Sequence, residues 1–451
     1  MSTKPKVDML NGPLLMKILV FALPLAASSL LQQLFNSVDV AVVGRFASSH
    51  ALAAVGSNAP VIGLLINLFV GVSMGANVVI SNHLGQRDDE SIRRSVSTVS
   101  LVAVISGAIL LVLGWLVARP IHEMMDTPKE VLDMAVFYLR IYFIGIPFFL
   151  IFNFGSAILR SMGDTRRPLY ILVLAGVVNT LLNLAFVIGF GMGVEGVAIA
   201  TCIANALSAL LIIILLRKEQ GPMQLHFQHV RIYRKELKKM LQIGIPAGLQ
   251  GVIFSLSNVV VQSAINSYGP AAVAGSAAAV NFEYYCYYII VAFNGAAISF
   301  VGQNYGAKQY DRVRRIGRIC LLMGGVGCML ANVFFVWQDR FFLSFFSVDP
   351  EVVRYGMARM EGVLLFQFIA CSYEITGSAL RGMGESMLPT IMTLIGTCVL
   401  RMVWVFCIIP HYHGFAQLMQ VYPLSWILTG TMVYVAYAMS LKKLCPKVKA
   451  V

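Results

Sequence analysis

The chain has 451 residues, 58% of them hydrophobic and only 12% charged, with a mean hydropathy of +0.78. A soluble domain carries about 25% charged residues, so this composition excludes an ordinary soluble enzyme or binding module. The net charge of +13 would suit nucleic acid, but the Lys and Arg residues crowd into the N-terminus, alternate loops and the C-terminal tail, so the charge reports topology and no nucleic-acid partner is expected.

These features predict an all-α polytopic membrane protein with both termini in the cytoplasm, in a cell membrane and most simply a bacterial inner membrane. The opening MSTKPKVDMLNG runs into an apolar segment with no small-residue cleavage site, so no signal peptide is expected. Twelve spans follow in chain order: 14–44, 51–81, 93–118, 133–158, 168–189, 194–216, 238–267, 271–301, 314–337, 356–380, 389–410 and 415–440. Each exceeds the ~20 residues that cross a bilayer. The longest linker, 217–237, is basic and polar. It suggests an N-lobe (1–216), a cytoplasmic linker (217–237) and a C-lobe (238–451).

The two halves are related. SNHLGQRDDESIRRS (81–95) matches GQNYGAKQYDRVRRI (302–316), and GSAILRSMGDTRRP (155–168) matches TGSALRGMGESMLP (376–389), both at an offset of 221. Pro24 and Pro246 nearly keep it. An even six-helix repeat predicts two pseudo-symmetric lobes of the same orientation, as in transporters with parallel repeats.

The first span contains LLQQLFNSVDVAVVGRF (30–46). A carboxylate at bilayer depth costs about 2.5–3.5 kcal/mol on insertion scales, so Asp39 needs an offsetting partner. Gln32 and Asn36 lie on its helix face at helical spacing, and Pro24 should bend the same helix as a hinge. In the fifth span Asn179 and Asn183 are four apart, and Thr201 follows in the sixth. One carboxylate with amide and hydroxyl oxygens suits a proton, Na⁺ or an organic cation. The structural alternative is a protonated Asp hydrogen-bonded between helices.

Farther along, Glu283 sits among Tyr284, Tyr285, Tyr287 and Tyr288 in the eighth span. A carboxylate beside aromatic faces suits a lipophilic cation; an interfacial tyrosine belt is the alternative. Glu374 in the tenth span and Arg401 in the eleventh fall at similar depth, which predicts an ion pair, either structural or coupling. Apart from Arg401, few central basic residues are visible.

Other signals carry less. GMGVEG (191–196) fits a glycine-rich nucleotide pattern but has no strand before it and reads as a turn. The eight cysteines are scattered, with no CxxC, and read as buried hydrophobes. His411-Tyr412-His413 reads as an external loop. Neither a metal site, a cofactor, nor an ATP-binding motif is expected.

VDVAVVGRF, GVEGVAIAT, FVGQNYGA and LRGMG-x-S-x-x-P together make the chain resemble the multidrug and toxic compound extrusion (MATE) transporters along nearly its whole length. The resemblance implies secondary active efflux of amphipathic organic cations in exchange for H⁺ or Na⁺ by alternating access, with membrane lipid as surroundings and a functional monomer. It also implies a cation-coupling site at Asp39, Asn179, Asn183 and Thr201. Some members carry an acid where this chain has Asn183, so this site has one carboxylate. The seventh span lacks the acid of NorM-like members. Glu283 and Glu374, with Gln32, Asn36, Tyr287 and Arg401 as further candidates for a substrate or second cation site, place the chain nearer the DinF/MepA-like branch. The alternative is a flippase for lipid-linked precursors, which would need a strongly cationic cavity.

Overall fold

The computed structural model describes residues 6–46, 49–125, 127–411 and 414–444. Among them, twelve helices are long and apolar enough to cross a membrane, and no strand occurs. They are α1 (Leu14–Phe46), α2 (Ala53–Gln86), α3 (Asp89–Met124), α4 (Lys129–Ser161), α5 (Arg166–Gly189), α6 (Val194–Lys218), α7 (Arg234–Asn266), α8 (Pro270–Gly306), α9 (Tyr310–Trp337), α10 (Pro350–Gly382), α11 (Met387–His411) and α12 (Phe415–Leu444). Several overrun the expected spans by a turn or more. Hydropathy sees only the apolar stretch, whereas the helix continues through its polar flanks.

The ends have local causes. The Asp88 carboxylate accepts the Ser91 N–H at 3.0 Å and caps α3, and Asp349 caps α10 by accepting the Glu351 N–H at 2.9 Å. Each satisfies a backbone donor that the first helical turn leaves unpaired. The repeat is written in the backbone too. Arg87 and Lys308 hold φ of 56° and 59°, and Gly163 and Gly384 hold 89° and 93°. Both pairs stand 221 residues apart and both follow a helix end, where a left-handed residue closes the last turn.

The described chain divides into two compact units. Among the described residues, unit 1 lies within 6–7 and 27–248, and unit 2 within 8–26 and 249–444. This differs from a division at 217–237. The leading part of α1 goes with the second half, and the linker and leading part of α7 go with the first. Each helix changes unit two residues after its internal proline, Pro24 or Pro246.

Packing explains the difference. In unit 1, Gly71 and Gly75 of α2 meet Gly244 and Gly248 of α7 backbone to backbone. A Cβ on Gly71 would lie 2.3 Å from the Gly248 nitrogen, and one on Gly75 2.3 Å from the Met240 carbonyl oxygen. Small residues four apart on both helices permit this approach. In unit 2, the Phe21 ring packs edge-on against Phe300 with centroids 5.4 Å apart, and Asn304 Nδ2 donates to the Met9 carbonyl at 3.0 Å.

Candidate ion-coupling site

The buried face of α5 carries Ile171, Ala175, Asn179 and Asn183, each four residues from the last, with Gly176 beside Ala175. Gly176 leaves the room that brings α1 close. A Cβ there would fall 1.8 Å from the Phe35 ring. With Phe35 seated, Asp39, one turn further along α1, comes against Asn183.

Asn183 Nδ2 donates to Asp39 Oδ1 at 2.5 Å and lies 3.3 Å from Asn179 Oδ1. Asn179 Nδ2 in turn lies 3.4 Å from Thr201 Oγ1, and Thr201 donates to the Val197 carbonyl at 3.0 Å. Asp39, Asn179, Asn183 and Thr201 therefore form one polar chain across α1, α5 and α6. Asn183 is fully buried, yet its Oδ1 has no hydrogen-bond partner. A buried amide oxygen left open beside a carboxylate is an acceptor for a cation or a protonated group. Immediately after Asn183, α5 widens into a π-helical turn, Ala185–Gly189, a local irregularity common at functional sites.

The surroundings of Asp39 are apolar. Val42 and Val43 join Tyr138 in a buried cluster, with Val38 and Tyr142 against it. The two tyrosines were not singled out from sequence; their spacing of four on α4 was the available signal. Gln32 and Asn36 are exposed and stand outside the hydrogen-bonded chain. Sharing a helix face with Asp39 did not make Asn36 its partner, because the donor comes from the neighbouring helix.

The polar residues of unit 2 form separate groups. Glu283 is held by Arg359, with Nε to Oε1 at 2.6 Å and an Nη2 to Oε2 bond of 3.1 Å. Gln367 donates to the Glu283 carbonyl at 3.0 Å. The Glu283 carboxylate is thus neutralised by a fork of charge-assisted bonds; it is not an open carboxylate among tyrosines. Arg359 lies just inside the expected tenth span and was missed because nothing local links it to Glu283, 76 residues away on another helix.

The expected Glu374–Arg401 pair does not form. Glu374 accepts from Asn294 Nδ2 at 3.0 Å and from the Tyr287 hydroxyl at 3.4 Å. Arg401 donates to Asn258 Oδ1 at 2.7 Å and lies over the rings of Phe254 and Tyr422, at 5.0 and 4.6 Å from their centroids. Equal depth places charges in one layer; helix rotation decides whether they face each other. Buried basic residues are also present beyond Arg401: Arg359 and Arg381, near the two ends of α10, are buried as well.

Among the described residues no cluster of three or more His, Cys, Asp or Glu could hold a metal ion. Tyr412, His413 and Cys445 lie outside the described residues; the other seven cysteines are free.

Twelve apolar helices in two related halves, with acids and amides buried inside each, define a polytopic membrane transporter. The family described as MatE matches residues 24–185 and 246–407, one match in each half. The chain is 29% identical over 388 residues to the probable multidrug resistance protein YoeA of Bacillus subtilis, covering 83% of this chain and 82% of that one. It is 26% identical over 401 residues to the probable multidrug resistance protein NorM of Thermotoga maritima, covering 88% and 86%. A solved MATE in complex with MaL6 superposes with a TM-score of 0.91 at 22% identity, over 98% of this chain and 99% of that one. This chain belongs to the MATE family of multidrug efflux transporters, whose members are transporters and not enzymes.

Proposed function

We propose that this chain is a secondary active exporter of amphipathic organic cations, driven by inward H⁺ or Na⁺ and working as a monomer by alternating access. It sits in the bacterial inner membrane, surrounded by lipid, with both termini cytoplasmic. The observation that carries the reading is the Asp39–Asn183–Asn179–Thr201 chain, with the Asn183 oxygen left open beside the carboxylate.

In this reading an ion or proton arriving at Asp39 removes the unpaired charge that makes an intramembrane acid costly. Asn183 and Thr201 supply the remaining oxygens. Export requires that the ion bind the outward and inward states unequally; otherwise no gradient is converted into drug movement. Pro24, where α1 passes between units, is the element that lets one end of the helix respond to the other.

The test is ethidium export in proteoliposomes under an imposed pH gradient or an imposed Na⁺ gradient, with wild type and Asp39→Asn. Export under one gradient, lost in the variant at unchanged folding, supports the reading and names the ion. Full export by Asp39→Asn would sink it. No dye movement under either gradient would favour the lipid-linked precursor flippase, for which the buried arginines of unit 2 are the supporting observation.

A further inference from the structure

A groove in unit 1 stands apart from the polar chain at Asp39. α4 packs against both α3 and α6, and between them Ala103 of α3 and Gly155 of α4 leave a trough along the halves nearest the linker. Gly155 lets α6 lean in, since a Cβ there would lie 2.6 Å from Ile212 Cγ1. Ser100 and Phe154 complete the walls, and Phe227 of the linker forms the end. The linker is held there because the Leu225 N–H donates to the Leu216 carbonyl at 3.1 Å. The groove holds about 70 Å³, several times the ~10–15 Å³ that one water takes. Water is a poor occupant, because it needs about two to four polar partners. The Ser100 hydroxyl already donates to the Val96 carbonyl at 2.8 Å, and the other lining side chains are apolar. Val104 on the rim is 50% exposed, and in a membrane span such a surface meets hydrocarbon.

Positive charge stands at the linker end of this groove. The Arg217 guanidinium lies over the Phe227 ring, 5.2 Å from its centre. Ser97 precedes Ser100 by three residues and shares its face of α3. Its hydroxyl accepts the Arg231 N–H at 2.8 Å. The guanidinium groups of Arg231 and Arg94 both lie over the Tyr233 ring, 4.8 and 5.5 Å from its centre. Arg94 also pairs with Glu90. Arg217 and Arg231 are exposed, and among the described residues neither joins an ion pair. From Arg94 to Ser100 the helix climbs roughly 9 Å, at about 1.5 Å per residue. A headgroup layer is about 5–8 Å deep on each side of the hydrocarbon. The charges therefore fall at headgroup depth where the groove begins at acyl-chain depth.

We infer that this groove binds an acyl chain of one anionic phospholipid, with Arg217 and Arg231 holding its headgroup phosphate. Its leaflet, the cytoplasmic one, follows from the topology proposed above; the binding itself does not depend on export. An arginine beside an anionic lipid surface contributes about fivefold in affinity, and guanidinium suits phosphate geometry. The apolar trough makes the ligand a lipid and not a free phosphate, because only an attached chain can fill it.

Two lipids with the same chains test it. Dioleoyl phosphatidylglycerol carries a net negative charge, and dioleoyl phosphatidylcholine cancels its phosphate with a cation. Native mass spectrometry of the delipidated full-length protein follows the first bound lipid as each is titrated. Wild type should take the first phosphatidylglycerol about tenfold or more tightly than phosphatidylcholine, on the scale of two arginines. The double variant Arg217→Gln with Arg231→Gln alters exposed side chains only and should bring the two lipids within about twofold. Ala103→Leu fills the groove with the arginines intact and should weaken the first phosphatidylglycerol by about fivefold or more. In wild type, which needs no variant to fold, glycerol 3-phosphate at the lipid concentration should leave that lipid bound.

Equal first binding of the two lipids in wild type overturns the site, since it would mean surrounding lipid without recognition. So does a preference that survives the double variant, or displacement by glycerol 3-phosphate, which would make the ligand a free phosphate. Lipid binding is read without transport, so the two readings fail separately. If ethidium is exported while the lipid preference ignores Arg217 and Arg231, the lipid site falls and the exporter stands. If export fails yet phosphatidylglycerol binds through those arginines, the exporter falls and the lipid site stands.

Discussion

Arg359 grips Glu283 through two parallel hydrogen bonds inside unit 2, and the same guanidinium lies 5.3 Å from the centre of the Tyr422 ring. Breaking one partner of a buried pair leaves the other charge uncompensated, at about 3–5 kcal/mol. Glu283→Gln should therefore melt well below wild type in detergent. Replacing both by Met should cost less than either single change, because no charge is then stranded. A double variant as unstable as the worse single one would mean that the pair stabilises the fold in its own right.

Asn183 and Asn36 make opposite predictions for transport. Asn183→Leu removes the donor to Asp39, a hydrogen bond to a charged group worth about 1.5–3 kcal/mol. Dye export per mole of protein should fall by about tenfold or more. Asn36→Leu touches an exposed side chain outside the polar chain and should leave the rate within about twofold. The reverse order would return the site to the α1 face read from sequence.

Glu219, just past the end of α6, accepts from Lys6 Nζ at 2.7 Å and pairs with Arg167. Burial works to raise its carboxyl, but the bonds and charges of Lys6 and Arg167 outweigh it and hold the group below the usual carboxylate range. The folded state thus favours the ionised form. This stability is fully present above the unfolded value of about 4.3 and is lost as the pH falls through the lower folded value. Glu219→Gln should lower stability at pH 7 by on the order of 1 kcal/mol, since Lys6 is partly solvated. The gap to wild type should close as melting is repeated toward and below about pH 4. A gap independent of pH would rule out the ionised clamp.

Gly163 and Gly384 occupy equivalent turns with nearly the same positive φ. A left-handed L-residue costs about 1–2 kcal/mol, so both Ala variants should be destabilised. Gly163→Ala should suffer more, because its Cβ would lie 2.3 Å from the Val7 carbonyl oxygen, whereas nothing stands within 4 Å at Gly384. Equal melting temperatures for the two variants would show that the Val7 contact carries no weight.

The twelve helices and the repeat were legible in the sequence because they depend on local quantities. Apolar length decides what can cross a bilayer, and paired motifs at a fixed offset mark equivalent turns. Asp39 and its partners Asn179, Asn183 and Thr201 were legible for a related reason: polar side chains in apolar helices are few, so the candidates were few.

What the sequence could not supply was the rotation of each helix and the neighbour it meets. Gly176 and Phe35 set how closely α1 approaches α5, and so choose Asn183 over Asn36 as the partner of Asp39. The glycines of α2 and α7 draw the start of α7 into unit 1 against the apparent division at 217–237. The Glu374–Arg401 pair failed on the same point. Depth along a helix follows from residue number at about 1.5 Å per residue, but which side chains meet is fixed by packing between helices distant in sequence. The tertiary structure alone gave Glu283 to Arg359 and left Arg401 without an acid.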